Sequence, residues 1–330
     1  MQFYNIAIIV RLNKELWEQF IMDFNQLFTF SMNKTLWPLI YPIFFSNSFT
    51  NGDAIYRAEN SSEKEAILLV AFGSTSKSNA KKAYDNIEEK FSKEFTNKKI
   101  YWAYTSEFIR FRCAEKNMKK NSVIEALEKI NADGIKNVLV QSLHFTNGSE
   151  YNEILANIAE FKKNYEHNFA SIKVGFPLLV SGSDLEKFAN EMLKNIPKER
   201  SIDDDAVIFV VHGSRSGVND SVLLALQDKF NKISKNIFVT SLEGCYSFSD
   251  TVNYLIENFE TKRAYLMPLL VSAGVHVARD IAGDNVGSLK TLLKDKNITP
   301  ELVIKGLGEY DNIVDIFIKH LKNASEVNMK

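Results

Sequence analysis

Two segments about 140 residues apart carry the same pattern, and this repeat constrains the fold more than any other feature of the chain. Ala66-Ile67-Leu68-Leu69-Val70-Ala71-Phe72-Gly73-Ser74-Thr75-Ser76 aligns position for position with Ala206-Val207-Ile208-Phe209-Val210-Val211-His212-Gly213-Ser214-Arg215-Ser216. Each is an unbroken apolar run closed by Gly-Ser. A strand open to water on one face alternates apolar and polar residues, so an unbroken run belongs to a parallel strand covered on both faces. Helical spacing follows each run, over Asn79 to Phe95 and over Asn219 to Ile233.

The two halves continue in step. In the first, strands are expected at Ile100 to Tyr104, Val138 to Leu143 and Ile172 to Phe176, with a helix over Val123 to Asp133. In the second, strands are expected at Ile237 to Leu242, Ala264 to Val271 and Glu301 to Ile304, with a helix over Ser249 to Phe259. Alternating strands and helices build βαβ units, whose right-handed crossovers lay helices on both faces of a parallel sheet. The expected fold class is therefore α/β, with two similar facing domains, each a parallel sheet flanked by helices. The division falls near Arg200 to Asp205, giving a first domain over residues 65–202 and a second over 203–330. Ligands of such sheets bind beyond the carboxyl ends of the strands, so the cleft between the domains is the expected site.

Residues 1–64 do not share this pattern and read as an amino-terminal extension. Within it, Met32-Asn33-Lys34 leads into an apolar stretch from Leu36 to Phe45 and then into Ser46-Asn47-Ser48, the order of a secretory signal. On that reading the protein is periplasmic or otherwise exported, and the mature chain begins near Phe49. Pro38 and Pro42 interrupt the apolar stretch and only one lysine precedes it, which leaves a cytoplasmic protein with a plain extension as the alternative. The polar run from Asn51 to Lys64 reads as a linker.

Charge excludes some partners. Lys plus Arg total 40 against 41 for Asp plus Glu, so no bulk field draws the protein to nucleic acid or to an anionic membrane. The two cysteines, Cys113 and Cys245, stand far apart with no CxxC spacing and read as core thiols.

Of five histidines, His167 lies in a polar loop and His320 sits in a terminal helix near Lys319 and Lys322, and both read as surface residues. The other three, His144, His212 and His276, each fall at or just beyond the carboxyl end of an expected strand. Carboxylates reach the same rim: Glu243 follows the strand Ile237 to Leu242, Glu150 follows His144 in a loop, and Asp280 and Asp284 follow His276. Two neutral imidazoles and a carboxylate from separate strands can hold a divalent metal and leave positions open for a substrate. Histidines that merely cap strands through hydrogen bonds are the other reading of the same spacing. The Gly-Ser turns match none of the GxGxxG, GxxxxGK[ST] or GxSxG patterns, so neither a phosphate cradle nor a nucleophilic serine is indicated.

Taken together, these residues resemble the anaerobic cobalt chelatase family of sirohydrochlorin metal-inserting enzymes. The likeness runs from about Glu65 to Leu321. Its marks include Ala71-Phe72-Gly73-Ser74-Thr75-Ser76, Ala103-Tyr104-Thr105-Ser106, Val140-Gln141-Ser142-Leu143-His144, Asn147-Gly148-Ser149-Glu150-Tyr151 and Gly175-Phe176-Pro177-Leu178-Leu179. They continue with His212-Gly213, Glu243-Gly244, Leu266-Met267-Pro268-Leu269-Leu270, Ala282-Gly283-Asp284 and Gly306-Leu307-Gly308-Glu309.

The resemblance implies insertion of Co²⁺ into sirohydrochlorin, a precorrin-2-type tetrapyrrole, in anaerobic cobalamin biosynthesis. An iron or nickel tetrapyrrole chelatase, or a non-catalytic tetrapyrrole- or metal-binding protein, is the alternative. By the same likeness His212, Glu243 and His276 hold the metal, and His212, His276 and Glu150 are the catalytic residues. His144, Phe72 and Ser74 are the substrate-contact candidates, and Arg215 and Lys305 read first as solvated surface cations, with pairing to the substrate's carboxylates as the alternative. The metal is a substrate, Co²⁺ or else Fe²⁺ or Ni²⁺, no organic cofactor is expected, and the family's habit of assembly implies a homo-oligomer. Three positions depart from the family pattern. Val275 replaces an aspartate before His276, Ser149-Glu150 replaces an acidic pair, and Ser214-Arg215-Ser216 follows His212-Gly213 where the family often has further histidines.

Overall fold

A computed structural model describes residues 64–326 except 76–78, 166–167, 215–216, 218–219 and 245. The signal-like segment, the linker up to residue 63, His167, Arg215 and Cys245 lie outside the described residues. The first half runs β1 (Glu65–Ala71), α1 (Asn79–Glu94), β2 (Lys99–Tyr104), α2 (Glu107–Ala114), α3 (Val123–Ala132), β3 (Asn137–Ser142), α4 (Ser149–Asn164), β4 (Ser171–Gly175) and α5 (Gly182–Leu193). The second runs β5 (Asp205–Gly213), α6 (Asp220–Ile233), β6 (Ile237–Glu243), α7 (Phe248–Asn258), β7 (Arg263–Pro268), a π-helical turn (Val277–Ile281), α8 (Leu289–Lys294), β8 (Thr299–Leu302), a 3₁₀ turn (Leu307–Glu309), α9 (Asp311–Lys322) and β9 (Ser325–Glu326).

The strands form two sheets, ordered β2-β1-β3-β4-β9 and β6-β5-β7-β8. The repeat is therefore literal: β1 and β5 each lie between the next two strands of their own sheet, and all pairings among β1–β4 and among β5–β8 are parallel. It extends to single hydrogen bonds, since Leu143 N donates to Val70 O and Leu269 N donates to Val210 O, both at 2.7 Å.

The pleat explains why the two runs have no polar residue. Ile67, Leu69 and Ala71 of β1, with Val207, Phe209 and Val211 of β5, face one central core shared by both halves. The alternate residues Ala66, Leu68 and Val70 face a second cluster under α3 and α4, and Ala206, Ile208 and Val210 face a third under α7 and α8. Every one of these twelve side chains is at most 1% exposed, so a charge at any of them would be buried without a partner, at a cost of several kcal/mol. The central core also takes Phe91 of α1, Phe188 of α5, Phe230 of α6 and Phe317 of α9. The carboxyl end crosses back, with β9 pairing antiparallel to β4. Asn86 of α1 adds hydrogen bonds to Gly308 O and Asp311, so the halves share more than apolar contacts.

Three local expectations need correction. The last strand of the second sheet is Thr299–Leu302 rather than Glu301 to Ile304. Pro300 is tolerated because β8 is an edge strand that pairs with β7 alone. His320 is not a surface residue but is 7% exposed, with Nδ1 3.2 Å from Phe176 O and Nε2 3.3 Å from Asp184. The reason is that α9 lies against the first half with Ile313, Phe317 and Leu321 inward, and His320 falls on that same stripe. Glu150 is not in a loop but in the first turn of α4. Cys113 is a buried free thiol, as expected of a core cysteine. Among the described residues no helix is long and apolar enough to cross a membrane.

Candidate active site

Parallel sheets send all their carboxyl ends to one edge, and here both sheets send them to one cleft. The residues after β1, β3, β5 and β7 surround a cavity of about 670 Å³, within the usual range for small-molecule sites. Phe72, Ser74, His144, Glu150, His212 and His276 all line it. The loops of the two halves nearly touch, since a Cβ added at Gly274 would stand 3.1 Å from Ser74 Oγ.

His212 and His276 meet edge to face, with ring centroids 5.1 Å apart. His212 is carried by the last turn of β5, and Gly213 after it holds φ at +73°, which L side chains rarely adopt. An added Cβ there would also stand 1.8 Å from Glu243 O, so only glycine lets β5 and β6 end side by side. His212 Nδ1 lies 3.3 Å from Gly213 O, which can only accept, so Nδ1 is the donor of that contact and Nε2 is the nitrogen left for another partner.

His276 is held from below. Its Nδ1 donates to Asp280 Oδ2 at 2.8 Å, one helical turn on. Asp280 also accepts from Arg279 Nε at 2.6 Å and Nη2 at 2.9 Å. The Arg279 hydrogen bond, with a smaller contribution from His276, holds the Asp280 carboxyl below its usual range against the opposing effect of burial. An ionised Asp280 fixes the proton on His276 Nδ1 and turns Nε2 to the cleft, as carboxylates do behind metal-binding histidines. Val275 removed one possible supporting carboxylate. Asp280 supplies another, and its i,i+4 spacing from His276 was readable in the sequence.

His144 is a different kind of histidine. It is 7% exposed, with Nδ1 2.9 Å from Ser142 Oγ and Nε2 3.2 Å from Thr105 Oγ1. Burial lowers its pKa to about 4, although the nearby Glu150 charge works the other way. It is therefore a neutral imidazole at physiological pH, with both nitrogens occupied, and it suits a polar floor better than a proton acceptor.

Glu243 is not among the residues that line the cavity. It ends β6, half buried, and its register partner is Gly213, the residue after His212. Among the described residues no group of three or more His, Cys, Asp or Glu side chains is gathered as a metal site. Asp284 is engaged elsewhere, in an ion pair with Lys290 at 2.7 Å. Lys305 lies with Nζ 5.6 Å above the Tyr310 ring and does not line the cavity. Arg112, Lys116 and Arg279 do line it and were not singled out from the sequence. Tyr84, also in the lining, is half-buried, and desolvation raises its pKa to about 12 despite a hydrogen bond to Ser272.

The family model for cobalt chelatase, CbiK, matches residues 65–326, from the first strand of the fold to the last. The chain belongs to the CbiK cobalt chelatase family. Sirohydrochlorin cobaltochelatase CbiKC of Nitratidesulfovibrio vulgaris is 31% identical over 264 residues, covering 79% of this chain and 90% of that protein. The sirohydrochlorin cobaltochelatase of Salmonella typhimurium is 26% identical over 265 residues, covering 79% of this chain and 96% of that one. Among solved structures, SirB from Bacillus subtilis has the same fold, with a TM-score of 0.57 at 14% identity, covering 79% of this chain and 95% of that one. The α/β architecture with two parallel sheets is thus that of CbiK-family and related chelatases, and the cleft histidines lie inside the matched region.

Proposed function

We propose that this CbiK-family chain inserts Co²⁺ into sirohydrochlorin in anaerobic cobalamin biosynthesis, and that the reaction takes place in the cleft between the two sheets. The observation that carries the reading is the pair His212 and His276, held edge to face with ring centroids 5.1 Å apart in a cavity of suitable size. Insertion exchanges two pyrrole protons for one divalent ion, so the catalyst must hold the ion loosely and receive protons. On this reading the Nε2 atoms of His212 and His276 bind the incoming ion, with Glu243 completing the donor set. As the ion passes into the ring, the freed imidazoles and Glu150 accept the displaced protons. His144, Phe72 and Ser74 contact the macrocycle.

Imidazole and carboxylate donors discriminate weakly among Co²⁺, Fe²⁺ and Ni²⁺, so the metal must be found by assay. Absorbance of metal-free sirohydrochlorin, followed with each ion in turn, is expected to show the fastest enzyme-dependent insertion with Co²⁺. Binding of the ring without turnover for any ion would instead identify a carrier and reject the enzymatic reading. We further propose that the chain is exported and assembles as a homo-oligomer. Export rests on the order of residues from Met32 to Ser48. Amino-terminal sequencing of native material is expected to begin near Phe49, and a chain starting at Met1 or Met32 would reject it. Size-exclusion chromatography with light scattering tests the assembly.

A further inference from the structure

The two walls of the cleft carry the same short device. On the first-half wall, Phe108 and Arg112 are one helical turn apart on α2, with Lys116 just beyond its end. On the second-half wall, Val275 and Arg279 are likewise four residues apart, at the start of the π-helical turn. All five line the cavity. Phe108 is 68% exposed and Val275 50%, although each could have been a polar residue at no cost to the core. Apolar side chains left open in a concave site mark a surface awaiting a ligand.

The cations beside them are not fully used within the chain. Arg112 gives Nη1 to Glu115 at 3.0 Å, which leaves most of its five donors. Arg279 spends Nε and Nη2 on Asp280, which leaves Nη1. Lys116 forms no ion pair among the described residues. An apolar residue with a cation one turn outward, on two facing walls, matches a flat apolar ring edged with carboxylates.

We propose that Phe108 with Arg112 and Lys116, and Val275 with Arg279, form a two-sided clamp that covers the faces of the tetrapyrrole and pairs with its peripheral carboxylates. This inference rests on the reading of the cleft as a sirohydrochlorin site and adds which residues select the ring. Planar guanidinium groups suit the task because they bind carboxylates through paired, directional hydrogen bonds. Arg279 then serves twice, since it also orients Asp280 behind His276, and for that reason the test uses the other wall.

The experiment measures binding of metal-free sirohydrochlorin by fluorescence, apart from turnover, in the wild type, in R112E/K116E and in R112Q. Charge reversal is expected to weaken binding roughly 10- to 100-fold, and R112Q about 10-fold, with KM for the ring rising and kcat at saturation retained. Lys235→Glu, at the opposite end of the second sheet, alters net charge equally per residue and is expected to leave binding unchanged. A sirohydrochlorin whose carboxylates have been esterified should bind the wild type as weakly as the free acid binds R112E/K116E. The double substitution should then add little further loss. Binding of the free acid by R112Q and R112E/K116E within two-fold of wild type overturns the clamp, even if the wild type inserts cobalt. Absence of ring binding by the wild type overturns it as well. Tight binding without cobalt insertion rejects the proposed reaction and leaves the clamp standing.

Discussion

Replacing Asp280 by asparagine tests how the cleft keeps its second histidine ready. The carboxylate accepts from His276 Nδ1 at 2.8 Å and from two Arg279 donors at 2.6 and 2.9 Å. Asparagine has one acceptor oxygen and an NH₂ that can only donate. If the oxygen stays with Arg279, the NH₂ faces His276 Nδ1, which must give up its proton, and the tautomer with Nε2–H is favoured. That proton occupies the lone pair proposed to bind the ion. A hydrogen bond to a charged partner contributes about 1.5–3 kcal/mol, and loss of a supporting carboxylate behind a metal-binding histidine lowers affinity roughly 10- to 100-fold. Because the Asp280 side chain is 23% exposed, solvent screening places the expected loss at about 10- to 30-fold. Steady-state insertion with varied Co²⁺ and saturating ring should show KM for cobalt rising by that factor, while binding of the metal-free ring is little changed. Asp280→Glu keeps the charge and should recover part of the loss. Wild-type cobalt dependence in Asp280→Asn would refute the proposed link from Arg279 through Asp280 to His276.

Alanine at His212 or at His276 removes a donor outright and should lower insertion by more than about 100-fold. Both side chains are exposed at the rim, so circular dichroism and thermal midpoint should stay near wild type, and activity within ten-fold of wild type would refute the assignment. His144 sets a pH dependence of folding. Its native pKa of about 4 lies below the unfolded value near 6.5, so the unfolded chain binds the extra proton first. The stability of the neutral form is therefore complete above about pH 6.5 and is lost as pH falls toward 4, by about 3 kcal/mol in all. His144→Gln should flatten that part of the stability profile measured by urea denaturation, and an unchanged slope would count against the buried neutral imidazole. Gly213→Ala should cost about 2–4 kcal/mol, since it combines φ of +73° with a Cβ 1.8 Å from Glu243 O. Gly134→Ala has a similar φ of +72° but open space around the new Cβ, and should cost only about 1 kcal/mol. Equal losses for the two glycines would rule out the steric part of the explanation.

What could be read from the sequence follows from how far each signal had to travel along the chain. The runs Ala66 to Ala71 and Ala206 to Val211 identified β1 and β5 because a strand buried on both faces must be apolar at every position, which is a local demand. From that one inference the cleft positions of His144, His212 and His276 follow, since all strands of a parallel sheet end at the same edge. Helix α2 left no such mark. Its sequence mixes charged and apolar residues without a stripe, Phe108 and Phe111 are both exposed, and its start depends on Ser106 accepting from Ile109 N. The cations of the cleft were missed for the same reason: Arg112 and Arg279 reach it through the course of segments between strands, which the apolar pattern does not specify. His320 was misread for a different cause. Its neighbours Lys319 and Lys322 drew attention to charge, whereas counting by helical period from Ile313 and Phe317 places it on the buried stripe. Asp280 lay between these cases, because a helical turn after His276 brings an i+4 carboxylate beneath the ring, but only if the residues that follow His276 coil helically. That they do so is a property of the loop, and it converts an ordinary rim aspartate into the group that sets the proton on a neighbouring imidazole.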